Sequence, residues 1–191
     1  MKNVYSDIYG WFDFDNVYNK VVMDFHDNSI FVEVGCWLGK STAYLVEKIL
    51  DSGKFIKLYA VDTWEGSNED VHREYIGKIG GSDKLYEKFI ENMNKISNVN
   101  SVLIPIRKQS VLAANDFADK SVSFCFIDAG HTYEEVIADI KAWLPKIKNG
   151  GILAGHDYNE NNPAAEGLCR AVKEVFGNSF RVSRNSWIKE L

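Results

Sequence analysis

The chain contains 191 residues, of which 46% are hydrophobic, 13% aromatic and 26% charged, and its formal net charge is −5. A domain of this composition and size buries enough surface to fold without a disulfide or a metal. The excess of acids argues against a surface for duplex nucleic acid, which requires clustered cations. We therefore expect one domain, 1–191, that contacts no nucleic acid.

Cysteine usage and the N-terminal residues bear on location. The three cysteines are scattered and form no CxxC motif, which favours a reducing environment. The N-terminus carries acids where a signal peptide has a basic start, and no run approaches the ~18 apolar residues of a membrane span. We expect a cytoplasmic protein without membrane contact.

Strands and helices alternate along the predicted chain. An amphipathic helix is expected from Phe14 to Phe25, within an N-terminal helical cap, 1–29. Near-continuous apolar runs predict five buried strands: Ile30–Val34, Phe55–Val61, Ser101–Ile106, Val122–Ile127 and Gly151–Ala154. Helical stripes between these runs predict a parallel sheet with helices on both faces, which is a doubly wound α/β fold.

Local signals sharpen this prediction at two places. Thr132 and Glu135 have the spacing of a capping box at the start of a helix. Near the C-terminus, Phe180–Val182 and Trp187–Ile188 flank a short polar turn and predict an antiparallel hairpin.

The segment 64–82 is long for a connection between a strand and a helix, and it contains four glycines. Such loops in compact domains are usually functional, so we expect a lid over a ligand site. Four N-terminal aromatic residues either close over the same site or form an edge of the core: Tyr5, Tyr9, Trp11 and Phe12.

Ligands of an open parallel sheet bind beyond the carboxyl ends of its strands. The first strand runs into EVGCWLGKS, residues 33–41, where Gly35 and Gly39 let the backbone turn sharply beside a ligand. The loop is one residue too short for a P-loop, and it lacks the second glycine of a dinucleotide fingerprint. It is better suited to a ligand whose amino-acid end, without phosphates, lies over the loop.

Polar residues follow the next two strands. Asp62 ends the second strand, before Thr63 and Trp64, and can accept hydrogen bonds from two ribose hydroxyls or cap a turn. Ser110 follows the third strand and either helps to contact a base or serves as an ordinary N-cap.

Acids and histidines follow the fourth and fifth strands. Asp128 ends a wholly apolar run, His131 lies just beyond it, and His156 and Asp157 end the next strand. A carboxylate is costly to bury there without a cation or hydrogen-bond donors. Carboxylates and imidazoles at one rim suit either a divalent cation or a general base.

Four segments together resemble the class I S-adenosylmethionine-dependent methyltransferases: EVGCWLGKS (33–41), VDTW (61–64), IDAGHTYE (127–134) and GGILAGHDY (150–158). Within that superfamily the chain resembles the small-molecule O-methyltransferase branch, related to macrolide-sugar O-methyltransferases and cephalosporin hydroxylase-like proteins. The resemblance covers approximately residues 30–160.

The resemblance implies a Rossmann-like, mostly parallel sheet of seven strands with an antiparallel C-terminal edge strand. S-adenosylmethionine is the implied cofactor, with its methionine part over the two loop glycines, its ammonium near Glu33 and its ribose at Asp62. The implied cofactor-binding residues are Glu33, Gly35, Gly39, Ser41, Asp62, Thr63, Trp64, Ser110 and Asp128.

The implied reaction methylates a hydroxyl of a small-molecule acceptor, with Asp128, His131 and His156 as candidate catalytic residues. Asp128 and Asp157 are the candidate ligands of Mg²⁺, although His156 stands where some relatives carry an acid. A homodimer is a further expectation. Two alternatives stay open: a nucleotide-binding Rossmann oxidoreductase, and an S-adenosylmethionine-binding protein without catalysis.

Overall fold

Seven strands form one sheet in the computed structural model, which describes residues 3–67 and 70–191. The strands are β1 (Ile30–Val34), β2 (Lys57–Asp62), β3 (Leu103–Arg107), β4 (Val122–Ile127), β5 (Ile147–Gly155), β6 (Arg181–Ser183) and β7 (Ser186–Glu190). Their order is β3-β2-β1-β4-β5-β7-β6. β1 to β5 are parallel, and β7 runs antiparallel to both of its neighbours. The predicted mostly parallel α/β sheet is confirmed.

The predicted C-terminal hairpin is present, but its last strand does not form the edge of the sheet. β7 lies between β5 and β6, and the three residues of β6 form the edge. Trp187 and Ile188 of β7 are 1% and 3% exposed, whereas Val182 of β6 is 46% exposed. The more apolar strand therefore takes the interior position, where it buries more surface.

Helices cover both faces of the sheet, as predicted. They are α1 (Asp15–Asp24), α2 (Lys40–Ser52), α3 (Asp70–Ile79), α4 (Asp83–Met93), α5 (Ser110–Ala114), α6 (Tyr133–Trp143) and α7 (Glu166–Phe176). α1, α2 and α4 share one core with Phe124 and Phe126 of β4, while α5, α6 and α7 share the other with Cys125 and Ile127. None of the helices in the described part of the chain combines the length and apolarity that a membrane span requires.

Local signals located most element ends. β1 and β4 have their predicted bounds, and the capping box of Thr132 and Glu135 is formed at the start of α6. β5 begins four residues before its predicted start, because Gly150 and Gly151 interrupt the apolar pattern there. The glycines lie at an irregularity of the pairing with β4, where the register shifts from Val122–Ile147 to Phe124–Ile152, and their backbone groups instead hydrogen-bond to Leu191.

The segment 64–82 contains a helix, α3, where the sequence predicted a loop. Residues 68 and 69 of this segment, and residues 1 and 2 of the N-terminal cap, lie outside the described residues. α3 buries none of its side chains completely, but Tyr75 and Ile76 pack partly on the core. The loop prediction was wrong because Gly77 does not interrupt the helix. A lid role for this segment stays a prediction.

Candidate active site

The loop after β1 bends at Gly35 and Gly39, whose φ angles are +86° and +87°. A Cβ on Gly35 would lie 2.0 Å from the carbonyl oxygen of Asp128, and one on Gly39 would lie 2.5 Å from Cε of Met93. Gly35 therefore requires glycine for both conformation and space, whereas Gly39 requires it chiefly for its left-handed conformation, since the end of the Met93 side chain can shift. The bend brings the loop backbone directly against the tip of β4.

Glu33 is buried beneath this loop, and internal hydroxyls satisfy its carboxylate. Tyr18 donates from Oη to Oε1 at 2.7 Å, and Thr42 donates to Oε2. Burial raises the pKa of Glu33, while the hydrogen bonds from Thr42 and Ser41 lower it. With 1% exposure, Glu33 supports the loop from below, and its contact with a cofactor stays a prediction.

Asp62 lies at the tip of β2, where its carboxylate accepts hydrogen bonds from backbone amides. The amides of Cys36 and Trp37 donate to Oδ2 at 2.8 and 2.9 Å, and the amide of Trp64 donates to Oδ1 at 2.8 Å. Burial raises the pKa of Asp62, and these amides oppose the rise. Asp62 therefore ties the glycine loop to β2.

Trp64 completes this tip of the sheet from the inside. It is 1% exposed, and its indole Nε1 donates to the carbonyl of Trp37 at 2.9 Å. Beside it, Thr63 accepts a hydrogen bond from the amide of Glu65 at 3.2 Å. Trp37 was missed in the sequence, although a large aromatic residue between two loop glycines was a signal that could have found it.

The two predicted serines make hydrogen bonds within the fold. Ser41 hydrogen-bonds to the buried Glu33. Ser110 begins α5, and its hydroxyl accepts a hydrogen bond from Nε1 of Trp143 at 2.9 Å and interacts with Asp139. Burial raises the pKa of Asp139 to about 6, with Ser110 opposing the rise. The hydroxyl of Ser110 thus links α5 to α6.

The tips of β4 and β5 bring three predicted residues together. One ligand atom each from Asp128, His131 and Asp157 lies within 4.8 Å of the other two. Nε2 of His131 is 3.0 Å from Oδ2 of Asp157, and both side chains are 42% exposed. We call these three residues, with His156, the acid–imidazole cluster. It can accept a proton from a ligand or hold a cation.

His156 lies deeper, with carboxylates on both sides. Its Nδ1 is 3.2 Å from Oδ1 of Asp157 and 3.8 Å from Oδ1 of Asp128. Its Nε2 is 2.7 Å from Oδ1 of Asp13, in the segment before α1. Arg184, in the turn between β6 and β7, donates to the carbonyl of Asp13. Sequence reasoning missed Asp13, because nothing in its local pattern distinguishes it from an ordinary surface acid.

These contacts set the charges of the cluster. Burial lowers the pKa of His156, but the hydrogen bond with Asp157 and the charge of Asp128 outweigh it and raise the pKa to about 9. Burial raises the pKa of Asp128 to about 7, with the charge of His156 opposing. Burial also acts to raise the pKa of Asp157, but hydrogen bonds with His131 and His156 bring it well below its usual range. At neutral pH, His156 is a cation and Asp157 an anion.

Comparison with known proteins shows which family the chain resembles. The chain matches the family described as "Methyltransferase domain" over residues 32–158, about two thirds of its length. A relative from Sinorhizobium fredii, the uncharacterized protein y4gI, is 27% identical over 126 residues, which are 66% of this chain and 13% of the relative. The chain thus spans about an eighth of the length of this curated relative.

Solved structures share the fold at low identity. The O-methyltransferase NovP superposes with a TM-score of 0.63 at 15% identity, covering 92% of this chain and 78% of that one. A protein from Clostridium thermocellum, provisionally assigned as an rRNA methylase, gives 0.63 at 13%, covering 96% and 98%. SMU.1697c from Streptococcus mutans, provisionally assigned as a methyltransferase and solved with S-adenosylhomocysteine, gives 0.60 at 16%, covering 96% and 100%.

The matched span begins within β1 and ends just after Asp157, so it encloses the glycine loop, Asp62 and the acid–imidazole cluster. The similarity in fold to these solved structures extends over 92–96% of this chain. On the extent of this match, the chain belongs to the methyltransferase-domain family.

Proposed function

We propose that this protein is an S-adenosylmethionine-dependent methyltransferase that acts on a hydroxyl of a small molecule. The observation that carries the proposal is the family match, which encloses the crevice from Glu33 to Asp157. The similarity to NovP, an O-methyltransferase, supports oxygen as the acceptor atom. SMU.1697c, the similar structure that was solved with S-adenosylhomocysteine, supports S-adenosylmethionine as the cofactor. A nucleotide-binding oxidoreductase is disfavoured by the same family match.

The shape and polarity of the crevice suit this cofactor. The missing side chain at Gly35 lets the loop lie directly against the backbone of Asp128, and the methionine part would lie over this loop. Asp62 supplies the carboxylate for the ribose, which would share oxygens that already accept the amides of Cys36 and Trp37. When bound, the cofactor supplies a methyl group activated on a sulfonium.

The task of the protein's own residues is to align the acceptor and remove its proton, because a neutral hydroxyl is a poor nucleophile. We assign the general base to His131, which is exposed and 3.0 Å from Asp157. The His131 imidazole would take up the hydroxyl proton when the acceptor oxygen receives the methyl group that the cofactor supplies. Asp157 would stabilise the resulting positive charge.

His156, the other candidate base, is better suited to a positioning role. Its two ring nitrogens face Asp13 on one side and Asp157 on the other. Because its pKa is raised to about 9, it is already protonated at neutral pH and holds no lone pair for a further proton. It would act as an internal cation that holds Asp157 and Asp128 in place.

A divalent cation also fits the described site. Asp128, His131 and Asp157 each offer one ligand atom within 4.8 Å of the others. One imidazole and two carboxylates suit Mn²⁺ or Zn²⁺ better than Mg²⁺, which prefers oxygen ligands alone. Such a cation would lower the pKa of the acceptor hydroxyl. His131 would serve either as the general base or as a ligand of the cation. Activity that a chelator abolishes indicates the cation, and activity that persists with the chelator indicates the general base.

The charges of the rim bear on the class of acceptor. The exposed acids of the rim, Asp13 and Asp157, would repel the phosphates of a nucleic acid, which favours a small acceptor. The lack of nucleic-acid contact, the homodimer and the cytoplasmic location remain predictions.

Calorimetry with S-adenosylhomocysteine tests the cofactor assignment. We expect saturable binding to the wild type and at least about tenfold weaker binding to Asp62→Asn, because the amide cannot accept hydrogen bonds at both positions. The matched control is Asp51→Asn, which changes an exposed acid on α2 and should bind as the wild type does. Wild-type protein that binds NADH but not S-adenosylhomocysteine would contradict the proposal.

A further inference from the structure

Five aromatic rings meet beside the glycine loop, and we call them the ring platform: Tyr9, Trp11, Trp37, His72 and Tyr75. Tyr9 stacks on Tyr75, with ring centroids 4.9 Å apart and planes 4° apart. His72 stacks on Trp37, with centroids 4.0 Å apart and planes 18° apart. Trp11 joins the two stacks through contacts of 5.8 Å with both Tyr9 and His72. The platform thus unites the N-terminal segment, the glycine loop and α3.

Two properties of the platform are unusual for a purely structural cluster. Trp11 is 60% exposed and Tyr9 is 47% exposed, although rings of this size favour burial. The indole Nε1 of Trp37 is buried and has no hydrogen-bond partner within the described ranges. Buried donors are normally satisfied, so a ligand oxygen at this position would be stabilised. Exposed rings and an unused donor together favour a ligand subsite.

The chain connects the platform to the acid–imidazole cluster by two short routes. Trp11 is two residues from Asp13, whose carboxylate is 2.7 Å from His156. Trp37 is two residues from Gly35, which lies against the backbone of Asp128. Two residues span at most about 7 Å. The platform and the cluster therefore adjoin through both routes.

We infer that the ring platform is the acceptor subsite and that the acceptor is a planar aromatic alcohol. This inference rests on the methyl transfer proposed above. Two face-to-face stacks within the platform show that its surfaces accept flat rings at close range. A sugar would find partners for its hydroxyls only at the carboxylates beyond the platform, whereas the platform side chains themselves offer ring faces that match a flat ring. The acceptor hydroxyl would then extend towards His131.

A matched pair of alcohols tests the requirement for planarity. 2-Naphthol and decahydro-2-naphthol share a carbon skeleton and a hydroxyl position, but only the first is flat. Each is titrated into the protein saturated with S-adenosylhomocysteine, and binding is followed by saturation-transfer NMR. We expect 2-naphthol to bind at least about tenfold more tightly than its saturated analogue.

Substitutions locate the binding site. Trp11→Ala should weaken 2-naphthol binding by about tenfold, and Trp11→Phe should restore most of it, because phenylalanine keeps a ring face. Phe55→Ala is the matched control, since it removes a 77% exposed ring before β2, at the opposite end of that strand from Asp62. This control should bind 2-naphthol as the wild type does.

The outcomes separate the ring platform from the cofactor assignment. Equal binding of the two alcohols, no binding of 2-naphthol, or unchanged binding to Trp11→Ala would each overturn the ring platform as acceptor subsite while S-adenosylhomocysteine still binds. Failure of S-adenosylhomocysteine itself to bind would remove the proposed function, and this inference with it.

Discussion

The two histidines at the rim differ in exposure and in the number of carboxylates around them. His156 is 15% exposed and lies between carboxylates, whereas His131 is 42% exposed and lies at 3.0 Å from Asp157. The buried imidazole is held in its charged form by its neighbours. The accessible one is the candidate for proton transfer, so a substitution at His131 separates binding from chemistry.

We predict that His131→Gln lowers kcat by about 10²- to 10⁴-fold, because glutamine occupies similar space but accepts no proton. The Kd for S-adenosylhomocysteine should change little, since the substitution is at an exposed side chain beyond β4. Single-turnover kinetics and calorimetry measure the two quantities separately.

The control for this experiment is His26→Gln, at an exposed position just after α1. Its kcat should equal that of the wild type. If His131→Gln also keeps wild-type turnover, the general base lies elsewhere.

The sequence could predict only those site residues that a strand tip presents. Asp62, Asp128 and Asp157 all directly end or follow an apolar run, so their place at one edge of the sheet follows from the strand pattern. Asp13 and Trp37 depend on contacts between distant segments, with His156 and His72 respectively. No local pattern encodes these contacts, although the place of Trp37 between two loop glycines marks it as a candidate site residue.

Among the structural elements, the glycine loop has the least freedom to vary. Gly35 has a φ angle of +86° and lies against the backbone of Asp128, while Gly53 ends α2 with a φ angle of +68° and open space around it. The two glycines share a left-handed conformation and differ in surroundings. A substitution at Gly53 therefore measures the cost of the left-handed conformation alone, whereas a substitution at Gly35 adds the cost of the close approach to Asp128.

We predict that Gly53→Ala lowers the free energy of unfolding by about 1 kcal/mol, which is the cost of a left-handed alanine. Gly35→Ala should lower it by more than about 3 kcal/mol and abolish binding of S-adenosylhomocysteine, since the loop must move away from β4. Urea denaturation and calorimetry test both variants. Equal effects at the two positions would show that the approach to Asp128 is relaxed in solution.

Prediction of elements succeeded where the pattern was local and failed where glycines obscured it. The apolar runs of β1 and β4 and the capping box at Thr132 are encoded within a few residues. The sequence predicts a loop in place of α3, because Gly77 and its neighbouring glycines resemble chain breakers. The position of β7 inside the sheet depends on competition between two strands for burial, which neither strand reveals alone.

On the scale of the whole molecule, both ends of the described chain converge on the acid–imidazole cluster. Asp13 reaches His156 from the N-terminal segment, and Arg184 in the C-terminal hairpin holds Asp13 and Asp15. The charge on His156 thus contributes to the stability of the entire fold, and this contribution depends on pH.

We predict that stability falls as the pH rises from 7 to 9. The pKa of His156 is raised to about 9 in the folded protein, against about 6.5 in an unfolded chain. Its stabilising effect is therefore fully present below pH ~6.5 and lost as the pH rises through 9. This contribution alone should lower the free energy of unfolding by roughly 2 kcal/mol between pH 7 and 9.

Urea denaturation at several pH values, in the presence of EDTA, measures this effect. The raised pKa of Asp128, about 7, acts mainly at lower pH. Burial also raises the pKa of the thiols of Cys36, Cys125 and Cys169, which would titrate between pH 7 and 9 in an unfolded chain, so the contribution of His156 is the difference between the wild type and His156→Gln. Over this interval His156→Gln should lose roughly 2 kcal/mol less stability than the wild type does. Equal losses in the two proteins would refute the charged state assigned to His156.

The C-terminal hairpin has a consequence for how the protein is made. Arg184 holds Asp13 in place, and Trp187 lies against Gly155, directly before His156. A ribosome synthesises these residues after β1 to β5 and the glycine loop. The nascent chain can therefore form the parallel part of its sheet first, but Asp13 and the acid–imidazole cluster reach the described arrangement only after the hairpin of β6 and β7 has left the exit tunnel.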